Sequence, residues 1–123
     1  MTDDELTRIA RTVHYANVGW NIGLEDPAPD PGFDILPDWH RQFIIDRVRT
    51  VRDESVFLSD EDLALYIHQQ WVDLMIARGW RLGKVKDPAA VPPTHPCLQD
   101  WRKLPPEQQK KDQMAIAIVR SLL

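Results

Sequence analysis

A chain of 123 residues that is 43% hydrophobic and 28% charged can bury one core and is too short for two independent ones, so a single domain should carry the function. Its formal charge of -4 argues against binding a nucleic-acid polymer or an anionic membrane, both of which call for clustered Lys and Arg. The one cysteine, Cys97, rules out an internal disulfide; no apolar run approaches the roughly 20 residues of a membrane span; and MTDDELTRIA lacks the regions of a secretory signal, so a cytoplasmic protein is expected.

Thr2 and Glu5 have the spacing of a capping box and predict a helix start. Leu6, Ile9, Ala10, Val13, Ala16 and Trp20 then recur at three and four and form one apolar stripe, whose end Gly19 and Gly23 weaken and are expected to terminate. EDPAPDPGFDILP reads as a connector, because proline blocks helix and favours extended backbone. A second helix is predicted from near Pro37, with Phe43, Ile44, Val48 and Val51 inward and a basic outer face.

The third helix has Ser59 as N-cap, carboxylates in its first turn, and Gly79 as its stop. Leu63, Ile67, Leu74 and Ala77 form one stripe of it, and Ala64, His68, Trp71 and Met75 an adjacent one. From Gly79 to Pro106 the chain has little regular period and many prolines. Pro88, Pro92, Pro93 and Pro96 reduce the freedom of the unfolded chain and make a long connector a rigid wall. A last helix is predicted from Pro105 or Pro106, with Met114, Ile116, Val119, Leu122 and Leu123 on its apolar side.

The order helix, proline-rich connector and helix started by Leu-Pro occurs twice. Val13-His14 falls on Ile67-His68, and LPDWHR at Leu36 falls near LPPEQQK at Leu104. Residues 1–55 and 56–123 then form two halves, each too small to bury its own core, packed about a pseudo-twofold axis. A cleft between them would bring Asn17 opposite Trp71 and Arg41 opposite Lys110.

The second half carries a resemblance. IHQQW, GWRLGKVKD, HPCL and LPPEQQKKD before an apolar helix ending VRSLL resemble, in order, the RyR domain, the repeat domain of ryanodine receptors. The match spans Leu63 to Leu123 at Trp71, Gly79-Trp80, Gly83, Asp87, His95-Pro96-Cys97, Leu104-Pro105 and Asp112. The first half, with IARTVHYAN and LPDWHRQ, is similar to the degenerate first half of the small free-standing bacterial and phage members. The resemblance implies a mainly α fold of two pseudo-twofold-related helix pairs, with short extended or β segments beside them. It also implies adenine-nucleotide binding in the cleft, with the base against tryptophan, and no established reaction.

The expected ligand is therefore a nucleotide or a nucleotide-derived signal. Trp71 offers a ring face for a base or is a core residue. Trp39, in LPDWHR, is placed with it. His14 and His68 either bond a ligand or are satisfied structural groups. Arg41 and Lys110 offer a phosphate two cations or lie on solvated faces, Asp112 accepts from a ribose or anchors the connector, and Asn17 completes the set. Trp80 and Trp101 are expected to pin the connector, and Cys97 to pack. Neither a metal-ligand pattern, nor a cofactor-binding motif, nor a nucleophile-base-acid spacing is visible. A protein-docking module using the connector and exposed tryptophans, and a nucleotide hydrolase using His14 or His68, are the alternatives. The oligomeric state is left open.

Overall fold

The computed structural model describes residues 3–123 as four helices, α1 (Asp3–Gly23), α2 (Asp38–Glu54), α3 (Asp60–Ala77) and α4 (Pro106–Leu122). Two short strands, β1 (Arg81–Leu82) and β2 (Thr94–His95), pair in parallel within the second connector. The fold is mainly α, and no described helix is long and apolar enough to cross a membrane. Thr2, the first residue of the expected capping box, lies outside the described residues.

The helix limits follow from local chemistry. The Ser59 hydroxyl accepts from the Asp62 N–H at 3.1 Å, and Asp60, Glu61 and Asp62 occupy the positive end of α3. At the other end Gly79 adopts φ 95°, its N–H donating to the Ile76 carbonyl and the Trp80 N–H to that of Met75. This is a Schellman closure, which needs a left-handed residue that glycine takes without a Cβ penalty. It turns Trp80 back against the helix it has just left. Helix α1 runs through Gly19 and ends at Gly23, the second of the two glycines expected to terminate it. A single glycine costs a helix about 1 kcal/mol, less than packed turns on either side contribute.

The repeat is visible as recurring local geometry. Each half has a three-residue 3-10 turn, Phe33–Ile35 and Trp101–Lys103, then an extended Leu-Pro pair and a 17-residue helix. In each half a buried histidine of the first helix donates its Nε2–H to a carbonyl two residues before that turn. His14 donates to Pro31 at 2.8 Å and His68 to Gln99 at 2.9 Å. Helix α2 packs on α4, and each also packs on the first helix of the other half.

The core runs continuously through both halves, with Leu6, Phe33, Val48, Val51, Leu63, Ile67 and Val119 nearly withdrawn from solvent. Trp101 is buried among them, so it does pin its connector. Of the positions expected to face inward, Phe43 is half-buried, and Leu122 and Leu123 are exposed.

The connectors differ in length: His14 precedes Phe33 by 19 residues, and His68 precedes Trp101 by 33. The extra chain folds on itself. Asp87 pairs with Thr94 through both backbone N–H groups, and its side chain accepts from the N–H of Ala89 and Ala90. Gly83 lies so close to Thr94 that a Cβ there would sit 2.5 Å from the threonine Cβ.

Gly83→Ala is therefore expected to lose about 1–3 kcal/mol in denaturant unfolding through overpacking, and Gly79→Ala about 1 kcal/mol through its positive φ. Gly19→Ala, with open space around it inside a helix, should gain about 0.5–1 kcal/mol.

Candidate functional site

A cavity of about 270 Å³ opens between the two halves. Its floor is core: Val13, Ile44, Leu104 and Ala115. From the first half Asn17, Asn21, Phe43 and Arg47 face it, and from the second Trp71, Met75, Lys111 and Asp112. The long connector closes one side with Trp80, Lys86, His95 and Cys97. Trp80 and the single cysteine of that connector are thus spent on a wall.

The wall is aromatic. The Trp71 ring meets His95 edge-on at 4.9 Å and 77°, and lies 5.6 Å from His68 at 36°; Trp80 is 6.3 Å from His95. No parallel ring covers Trp71 among the described residues. Trp39 is different. Its ring is 36% exposed at the rim, parallel to His40 at 5.1 Å, with the Arg78 guanidinium 3.5 Å from its centre. That cation–π contact already occupies the indole and ties the two halves at the cavity mouth.

Three cations, Arg47, Lys86 and Lys111, line a cavity in an acidic chain, against two acids, Asp30 and Asp112. Lys86 is neutralised: its Nζ donates to Asp26 at 3.0 Å and to the Ala28 carbonyl at 2.6 Å, with Asp30 at 3.8 Å. This buried pair joins the two connectors. Burial alone would raise the Asp26 carboxyl, but the Ala28 N–H and the Lys86 ammonium together hold it below the usual range. Lys111 has no ion pair among the described residues, and burial lowers its ammonium below the ordinary lysine value against the pull of Asp112. Burial raises the Asp112 carboxyl, opposed first by Arg47 and then by His68, whose Nδ1 is 3.7 Å away.

His95 is held neutral. Its Nδ1 accepts the Cys97 N–H at 3.0 Å, and burial, with Lys111 and Lys86 nearby, lowers it from 6.5 to about 3. The tautomer that accepts at Nδ1 carries its proton on Nε2, so His95 is a neutral donor to any acceptor that reaches that nitrogen. Burial pushes the Cys97 thiol up, and its Sγ lies 3.4 Å from Gln108 Oε1, which makes it a packed group without thiolate character.

Of the residues expected at the site, Trp71, His14, Asn17, His68, Asp112 and Trp39 line the cavity, while Arg41 and Lys110 do not. Arg41 Nη1 donates to the carbonyls of Asp34 and Leu36, and Nη2 to Asp38, so the side chain closes the first 3-10 turn. Lys110 is exposed. Nor are the two equivalent: counted from Leu36-Pro37 and Leu104-Pro105, the partner of Arg41 is Gln109. Of the connector's tryptophans, Trp101 is buried and Trp80 lines the cavity.

Sequence reasoning missed Arg47, Lys86, Lys111, Trp80 and His95 as cavity residues. Carrying the Leu-Pro register one turn further would have matched Phe43 with Lys111 and Arg47 with Ala115. For Lys86 no local signal exists, since Asp26 is 60 residues away. No protein-family model matches the chain.

Two outcomes are expected here. Unfolded His95 titrates near 6.5 and folded His95 near 3, so the unfolded chain takes up the proton first as pH falls. Stability should be complete above about pH 7 and decline below 6.5, by about 2 kcal/mol at pH 5. His95→Asn, whose side-chain oxygen can still accept the Cys97 N–H, should flatten that limb in pH-dependent denaturant titrations. Arg41→Gln should lower stability by about 1–2 kcal/mol through its lost carbonyl contacts and leave cavity binding unchanged, measured by unfolding and calorimetry side by side.

Proposed function

We propose that the chain is a ligand-binding module of the RyR-domain type, acting in the cytoplasm, that takes a nucleotide or nucleotide-derived signal into the cavity between its halves. The observation that carries this reading is the Trp71 ring, which faces a cavity with no parallel ring over it. An indole face in that setting stacks on a planar base, a contact worth about 1–3 kcal/mol. The positions behind the RyR resemblance support it as a group. Trp71, Trp80, His95, Cys97, Leu104 and Asp112 line the cavity, while Gly79, Gly83 and Asp87 fold its wall.

The size suits a small ligand, since about 270 Å³ lies just below the ~300–1,000 Å³ range of pockets for drug-sized molecules. A base with its sugar would occupy most of it. Polar groups converge from several elements, among them Asn17 and Asn21 from α1, His95 from the connector and Asp112 from α4. Each of them presents donors or acceptors suited to the edge of a base or the hydroxyls of a ribose.

Isothermal titration with AMP, ADP, ATP, ADP-ribose and cyclic nucleotides tests the reading. Binding by at least one of them is expected, and silence across the panel would remove it. Trp71→Ala should weaken the bound ligand by about 5- to 150-fold while the variant stays folded, because the ring is only partly buried. A variant that melts far below the parent yet binds normally when folded would make Trp71 structural.

A further inference from the structure

We infer that the cavity holds an anion subsite, formed by Arg47 of the first half and Lys111 of the second, that takes a single phosphomonoester group of the ligand. The inference rests on the cavity being the ligand site and adds what holds the charged end of the ligand. Arg47 lies on α2, with Nη2 3.4 Å from the Ile67 carbonyl and its guanidinium 5.2 Å from the centre of the Phe43 ring. Its Nε–H is fully withdrawn from solvent and has no hydrogen-bond partner. A buried donor of this kind is costly unless something accepts from it.

Lys111 faces the same cavity from α4, with neither an ion pair nor a hydrogen bond among the described residues. Two cations on opposite walls, both without a carboxylate oxygen within 4.0 Å, leave a site of positive potential in a low-dielectric pocket. Asp112 acts on both from beyond that distance, and burial raises its carboxyl against the pull of Arg47, His68 and Lys111. Lys86 is already matched by Asp26 and Asp30 and is not part of the subsite.

Charge matching sets the ligand class. A phosphomonoester carries about -1.5 to -2 at neutral pH, which Arg47 and Lys111 together neutralise. A triphosphate brings more charge than the two can match and more volume than about 270 Å³ can hold beside a base. The ligand is therefore of the nucleoside monophosphate kind, with its phosphate at Arg47 and Lys111 and its ring against Trp71.

The test is calorimetric titration of the full chain, and of Arg47→Gln and Lys111→Gln, with adenosine, AMP, ATP and inorganic phosphate. AMP is expected to bind about 10- to 150-fold more tightly than adenosine, ATP more weakly than AMP, and either variant should lose the AMP advantage while keeping adenosine affinity. Equal binding of AMP and adenosine would overturn the subsite and leave the nucleoside reading standing, as would variants that keep the preference. ATP binding as tightly as AMP would overturn the single-phosphate assignment. Silence toward adenosine and AMP, with phosphate binding that both variants abolish, would remove the nucleotide reading and leave the subsite. Absence of any phosphate or AMP binding removes the subsite. Arg47 also bonds the Ile67 carbonyl, so if Arg47→Gln fails to fold, Lys111→Gln decides alone.

Discussion

Two imidazoles set the geometry of everything else. His14 and His68 are buried, and each has one N–H that the interior must satisfy; in both halves the acceptor is a carbonyl of the returning connector. Those two hydrogen bonds fix where the chain crosses the first helix, hence where each 3-10 turn begins and at what angle the Leu-Pro pair launches the second helix. The aromatic residues that open the turns, Phe33 and Trp101, are carried into the core by the same crossing. Apart from that anchor, the first connector has no strand pairing among the described residues, and the second has only the short pairing of β1 with β2 and the Asp87–Thr94 bridge.

From this anchoring the cavity follows. The second helices pack against each other and across to the opposite first helices, so the positions on them that face the centre are shared by both halves. Small or polar residues there, Asn17, Asn21 and Ala115, leave space that a symmetric core of large side chains would fill. The connector of the second half then supplies a wall, locked by the close approach of Gly83 to Thr94 and latched across the molecule by Lys86 and Asp26.

The helices were legible because their limits are written in short-range chemistry: Ser59 and the acids behind it, Gly79, and prolines ahead of α2 and α4. The histidine equivalence was legible for the same reason, as a repeated dipeptide on a helical stripe. The cations were not. Arg41 and Lys110 drew attention through their place beside the Leu-Pro motifs, but the positions of α2 that face the cavity are Trp39, His40, Phe43, Ile44 and Arg47, which pass Arg41 by. Lys86, Trp80 and His95 sit where the chain has no period, and their positions depend on contacts between residues far apart in sequence. Such placement is decided by the tertiary fold, and propensity carries no record of it.

The unequal connectors have a further consequence. A cavity on an exact twofold axis presents the same groups to a guest rotated by half a turn, so any asymmetric molecule would enter in two equivalent poses and be read ambiguously. The longer second connector removes that degeneracy, since Trp80, His95 and Lys86 have no counterparts across the axis. A hollow between two like halves needs little new chain; the added loop makes that hollow directional, with chemically unlike sides.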